Sequence, residues 1–257
     1  MDELGRMETP VHRLDARAKI LATSAFLVVV VSFPRREVTA LVPLALYPTA
    51  LVAAGGLPAG FLARRVLLAA PFAVLLGLFN PLLDRETAAT LWGHPVSGGW
   101  LSFASLLARF ALTASAALVL VACTGMPRLC AGLVRLGMPR ILAVQLLVMH
   151  RYLFVIAAEG SRMRRSLALR SAGGGAPPLR VYASLLGHLL LRALDRAQRI
   201  HRAMVARGFD GEIRVESTGS WRASESVFLA GWVAFFLAAR SWDLPEALGR
   251  WLAGGWR

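Results

Sequence analysis

Two arginines stand where this sequence can do chemistry of a docking kind. Ala168-Leu169-Arg170-Ser171 ends one predicted helix, and Val205-Ala206-Arg207-Gly208-Phe209-Asp210 ends another. Each stretch presents a single guanidinium beside small residues. A small neighbour lets the backbone sit close in a groove, while the planar fork donates to carbonyls or a carboxylate. The other chemistry-bearing residues are arranged against catalysis and against metal binding. His12, His94, His150, His188 and His201 never fall three or four residues apart, so no helical metal pair is available. Cys123 and Cys130 match no zinc spacing and no disulfide framework, and read as buried packing residues. Lys19 is the sole lysine, and there is no Gly-x4-Gly-Lys-Ser/Thr loop, so the chain cannot supply the usual phosphate-binding lysine of an ATPase. These residues describe an interaction protein rather than an enzyme, with no cofactor and no metal site of its own.

The elements that position the two arginines follow from glycine and proline punctuation. Gly137-Met138-Pro139 ends a short helix, and Pro139 opens the next at its favoured first position. That helix is predicted from Arg140 to about Ser171, where Gly173-Gly174-Gly175 and Pro177-Pro178 stop it. A further helix is predicted from Leu179 to Ala206, with Gly208 suited to close it in a left-handed conformation. Along it Leu186, Leu190, Ala193, Ala197, Ile200 and Met204 alternate at spacings of 4 and 3, which predicts an apolar seam against another helix. Arg192, Arg196, Arg199 and Arg202 lie off that seam, and Asp195 with Arg199 is spaced as an i,i+4 ion pair.

The rest of the chain reads as membrane. Its 257 residues are 56% hydrophobic with a mean hydropathy of +0.57, and only 17% are charged, against about 25% in an average soluble protein. Apolar blocks at 38–56, 66–83 and 101–124 run 18 to 24 residues, enough to cross a hydrocarbon core of about 30 Å as helices. Two blocks of fourteen residues, 20–33 and 226–239, gain length from flanks reaching back to Ala16 and on to Leu248. Together they predict an all-α bundle of about five transmembrane helices. Pro43, Pro48 and Pro71 fall inside spans, where neighbouring helices can re-satisfy freed carbonyls. Met1 to Thr9 carries three acids and no leading basic cluster, unlike a cleaved signal. The proposed spans hold no Asp or Glu, whereas ion-coupled pumps generally need carboxylates there.

Orientation follows from charge outside the spans. Residues 151–214 hold twelve arginines and four acids, a net of +8, which marks the cytoplasmic side. Arg64 and Arg65 fit an inner loop, and the near-neutral loop 84–100 fits the outer face. Arg35 and Arg36 run against this arrangement. Trp242, Trp251 and Trp256 then become anchors at the outer surface. Three parts result: N-terminal membrane helices over 1–124, cytoplasmic Arg-rich coupling helices over 125–224, and a C-terminal membrane helix and tail over 225–257. Arg109 is the one ionisable residue inside a long span. It either contacts a partner subunit or a backbone carbonyl within the bundle, or snorkels about two turns to the outer interface.

The residues alone leave the cationic helices open to more than one use. They can rest on anionic lipid and set topology, at about 1 kcal/mol per basic residue near the surface. They can equally form a protein-docking surface. Nucleic acid is disfavoured, because no aromatic stacking residues are interleaved with the arginines.

A resemblance narrows the choice. His12-Arg13-Leu14-Asp15-Ala16-Arg17-Ala18-Lys19 resembles the opening His-x-Leu-Asp-Pro-Arg-x-Lys of the T components of energy-coupling factor (ECF) transporters, CbiQ type, with Ala16 in place of the usual proline. Thr124-Gly125-Met126-Pro127 and Leu136-Gly137-Met138-Pro139 are similar to the family's stretch after its fourth membrane block, and Arg151-Tyr152-Leu153-Phe154 to its long helix. Met204-Val205-Ala206-Arg207-Gly208-Phe209 resembles the second Ala-Arg-Gly coupling motif. The first motif, often Ala-Arg-Ser, corresponds here to Leu169-Arg170-Ser171, which departs at the alanine.

The resemblance implies a scaffold in the inner membrane, lying between a substrate-binding S component and a pair of cytoplasmic ABC ATPases. Its coupling helices insert into grooves on the ATPases, with Ala206, Arg207, Gly208, Leu169, Arg170 and Ser171 at the contact. The transported ion would be cobalt, or nickel as in close relatives, bound by a different subunit. The alternative is a stand-alone secondary transporter or an integral membrane enzyme. That alternative predicts activity from the single chain and polar residues converging within the spans.

Overall fold

In the computed structural model, which describes residues 9, 12, 14–34, 38–83, 87–91, 94–170, 178–210 and 221–241, the first helix begins where Asp15 caps it. Its carboxylate accepts the Arg17 backbone N–H at 2.9 Å and the Arg17 guanidinium at 3.1 Å, satisfying a donor that the helix start leaves orphaned. This helix, α1 (Ala16–Ser32), is 17 residues long, or about 25 Å at 1.5 Å per residue. The second apolar block is not one regular helix. It runs through 3-10 turns at Thr39–Leu41 and Pro43–Ala45 into α2 (Leu46–Gly55). Pro43 opens a turn and Pro48 lies in the first turn of α2, positions where a missing N–H costs no helical bond.

Next come α3 (Ala59–Gly77), which carries Pro71, and α4 (Phe79–Leu83). Arg64 and Arg65 lie inside α3 rather than in a loop, both exposed, with the Arg65 guanidinium 4.3 Å from the Phe61 ring. An alkyl stem laid on apolar surface with its charge at the end of a membrane helix accounts for this. A short antiparallel hairpin follows, β1 (Thr87–Leu91) with β2 (His94–Ser97), which the apolar pattern does not announce. Then come α5 (Gly98–Thr124), α6 (Met126–Arg135), α7 (Arg140–Arg170), α8 (Leu179–Val205) and α9 (Ala223–Ser241). Glu225 in the first turn of α9 accepts the Arg222 backbone N–H, half of a capping box.

The protein is an all-α, multi-pass membrane protein. Among the described residues four stretches are long and apolar enough to cross a bilayer: Ala59–Pro81, Gly98–Thr124, Arg140–Arg170 and Ala223–Ser241. Three of them coincide with expected spans. The fourth, α7, has an apolar first half inside the region expected to be cytoplasmic. Residues 35–37, 84–86 and 242–257 lie outside the described residues, and with them Arg35, Arg36 and the three C-terminal tryptophans.

The chain divides into two units, Met1–Gly132 with Ser217–Arg257, and Leu133–Glu216. The division falls within α6 rather than at residue 125. The core of the first unit is aromatic. Phe26 of α1 stacks on Tyr47 of α2 at 4.8 Å between centroids, and Phe236 of α9 meets Tyr47 at 5.3 Å. Trp232 stands edge-on to Tyr47 at 4.9 Å. Such pairs add about 0.5–1.5 kcal/mol beyond the area they bury. The Tyr47 hydroxyl is paired with Thr23 Oγ1 at 2.8 Å, so the polar end of a fully buried ring is satisfied.

Candidate functional site

Both arginine tips stand at helix ends in the second unit. α7 terminates at Arg170, which is exposed, and its neighbour Leu169 is 86% exposed. Ser171 and the Gly/Pro corner after it lie outside the described residues. The other tip is built by its glycine. Gly208 has φ 79°, a conformation that costs a residue without Cβ nothing. The Phe209 N–H then reaches back to the Met204 carbonyl at 3.0 Å, and the Gly208 N–H to that of Val205 at 2.9 Å. This is a Schellman turn, with Phe209 and Met204 half-buried. Ala206, Arg207 and Gly208 are all exposed. A turn closed on itself leaves the Arg207 guanidinium free of any capping duty.

The two helices meet near their middles. Arg192 Nη1 donates to Glu159 Oε1 at 2.6 Å, Arg162 donates to the other oxygen of the same carboxylate, and Gly160 lies against Leu189. Glu159, rather than Asp195, is the acid that pairs with arginine across and along these helices. The packing stripe also differs from the expected seam. Val181, Leu185, Leu189, Ala193, Ile200 and Met204 are half-buried, whereas Leu186 is 65% and Leu190 61% exposed. The first half of α8 is leucine-rich on several faces, so periodicity alone does not choose one; the close approach at Gly160 does. Counting 1.5 Å per residue, Arg170 stands about 15 Å along α7 from Gly160, and Arg207 about 27 Å along α8 from Leu189.

Arg109 turns to its own chain. Its guanidinium donates to the Pro34 carbonyl just past α1, the backbone-carbonyl role among those the sequence left open. Among the described residues no three His, Cys, Asp or Glu side chains gather in a way that could hold a metal.

A second cluster, in the first unit, is one that spacing did not reveal. Lys19 is 3% exposed, and its Nζ donates to the Cys123 carbonyl in the last turn of α5 at 3.2 Å. Arg128 Nη1, in the first turn of α6, donates to the His12 carbonyl at 3.2 Å. Between these contacts α6 presses on the first turn of α1. A Cβ on Gly132 would come within 2.9 Å of Ala16 Cβ and 3.0 Å of Ile20 Cδ1. Cys130 is buried in α6, and burial pushes its thiol above the ordinary range. Two motif stretches more than a hundred residues apart in sequence thus meet at one joint. The signal available beforehand was that Lys19 is the sole lysine.

Comparison with known proteins agrees with this architecture. Residues 7–218 match the family model described as CbiQ, cobalt transport protein. A cobalt transport protein CbiQ from Rhodobacter capsulatus is 36% identical over 114 residues, 43% of this chain and 45% of that protein. A nickel permease LarQ from Lactiplantibacillus plantarum is 35% identical over 97 residues, 37% of this chain and 35% of that protein. The matched stretches thus span less than half the length of either relative.

Proposed function

The chain belongs to the CbiQ family of cobalt transport proteins, and from that premise we propose that it is the membrane scaffold, the T component, of an energy-coupling factor transporter. It couples ATP hydrolysis by two separate cytoplasmic ATPases to uptake of a transition metal ion. The ion is cargo held by a separate S component, with cobalt the first assignment and nickel the second. Arg207 between Ala206 and Gly208 engages one ATPase, and Arg170 between Leu169 and Ser171 engages the other. The basic second half of α7 and the whole of α8 face the cytoplasm in this reading.

The observation that carries it is the Arg207 tip. Its backbone needs are met by a closed turn, its neighbours are small, and its guanidinium is exposed. A planar cation offered this way suits carbonyls or a carboxylate in a groove. The apolar blocks 20–33, 38–56, 66–83, 101–124 and 226–239, for their part, hold none of the carboxylates on which a self-contained ion carrier would rely.

The test is co-purification and cobalt uptake from cells expressing the chain with its ATPases and S component. Arg207→Glu is expected to insert normally but to weaken ATPase retention by about 30-fold or more, as loss of a charge from a buried interfacial pair does. Arg170→Glu is expected to do less, because its flank lacks the alanine. Unchanged retention and uptake in Arg207→Glu would remove the role assigned to that residue. Labelling of a cysteine at 170 or 207 from outside the cell, or cobalt uptake by the lone chain in liposomes, would overturn the scaffold reading.

A further inference from the structure

Lys19 and Arg128 hold a joint that the docking tips do not explain. Gly125, between α5 and α6, has φ 74°, and nothing lies within 4 Å of where its Cβ would be. The backbone there has no steric stop of its own; local hydrogen bonds hold it, the Gly125 N–H donating to the Val121 carbonyl and the Gly125 carbonyl accepting the Leu129 N–H, both at 3.0 Å. Two side chains add restraint from elsewhere in the chain. Lys19 donates to the Cys123 carbonyl at 3.2 Å, among the carbonyls a helix C-terminus leaves unpaired, where a cation also meets the negative end of the helix dipole. Arg128 donates back to the His12 carbonyl at 3.2 Å, on the far side of the joint. An ammonium that is 3% exposed is costly to desolvate, and an alkyl side chain of that volume would pack without the cost. The charge is therefore present for what it holds.

We propose that Lys19 and Arg128 form a clasp that locks the Gly125 joint, making α6 a rigid extension of α1 and α5, so that displacement of the long helices after α6 reaches the membrane bundle. They are positioning residues for energy transmission. With the clasp cut, ATP is hydrolysed with little uptake while the ATPases stay bound. The proposal rests on the coupling reading given above.

The experiment uses the full complex in proteoliposomes, with Lys19→Met and Arg128→Gln compared with the unaltered chain. Three quantities are read: ATPase retained, cobalt taken up per ATP hydrolysed, and amide hydrogen exchange over residues 124–132. Both variants are expected to keep ATPase retention and hydrolysis. Uptake per ATP is expected to fall about 5-fold or more, the range of ordinary coupling effects, with faster exchange confined to the joint. An unchanged ratio despite faster exchange would make the clasp merely structural and end the proposal; unchanged exchange would end it too. Should Lys19→Met fail to fold, Arg128→Gln at the exposed rim decides alone. An unaltered chain that retains no ATPase is a separate failure, of the coupling reading itself, and exchange would still report whether the joint is locked.

Discussion

Phe26, Tyr47, Trp232 and Phe236 pack ring against ring in one unit, whereas Leu186, Leu190 and Leu194 stand on an open face in the other at 65%, 61% and 52% exposure. The first unit draws three segments distant in sequence onto one aromatic core. Its outward apolar residues, such as Leu67 and Leu68 on α3, suit lipid. The second unit buries one narrow stripe between two long helices and leaves most of its side chains uncovered. Its shape comes from helix length and from turns closed by Gly137 and Gly208, both at positive φ. A region that gains so little from its own packing leaves apolar surface open to lipid or to other molecules. The contrast teaches a difference in self-sufficiency: one unit is held by its own core, and the other leaves most of its surface uncovered.

Substitutions can break or sharpen this contrast. The largest effect is expected in the aromatic core, where Phe236→Ala opens a cavity beneath Tyr47 and Phe26 and costs about 3–5 kcal/mol. A melt of the purified chain in detergent checks it, and an unchanged midpoint would refute the idea of a self-sufficient core. Next is Gly132→Val, which drives a side chain into Ala16 and Ile20 and costs about 1–3 kcal/mol in the same melt. Leu190→Gln on the open face of α8 is expected to stay within about 0.5 kcal/mol of the unaltered chain; a large loss would mean that this face is covered within the chain. Smallest of all is Arg192→Ala. Glu159 keeps Arg162, the pair is exposed, and no measurable change in melting temperature is expected.

Much of the second unit is legible in the sequence. Gly and Pro placed the ends of α7 and α8 within a residue or two, because backbone punctuation is local chemistry that needs no neighbour. The packing stripe on α8 was not legible. Leu185 and Leu189 are as apolar as Leu186 and Leu190, and only the approach of Gly160 selects between them. In the membrane unit the apolar blocks were plain, but their geometry was not. Pro43 and Pro48 turned the second block into 3-10 turns and a ten-residue helix, and that block is held by the burial of Leu41, Leu44 and Tyr47.

Sequence alone determined the class of this protein: helices apolar enough for lipid, a basic segment between them, two arginines at helix ends, and a chain of motifs in family order. All of these are properties of residue type and spacing along one strand. Tertiary structure alone decided where Arg109 turns, which acid pairs with Arg192, and that a solitary lysine near the N-terminus secures a carbonyl at the end of α5. Those are meetings between residues tens to more than a hundred positions apart, set by how close two backbones can approach, and a linear pattern carries no record of that distance.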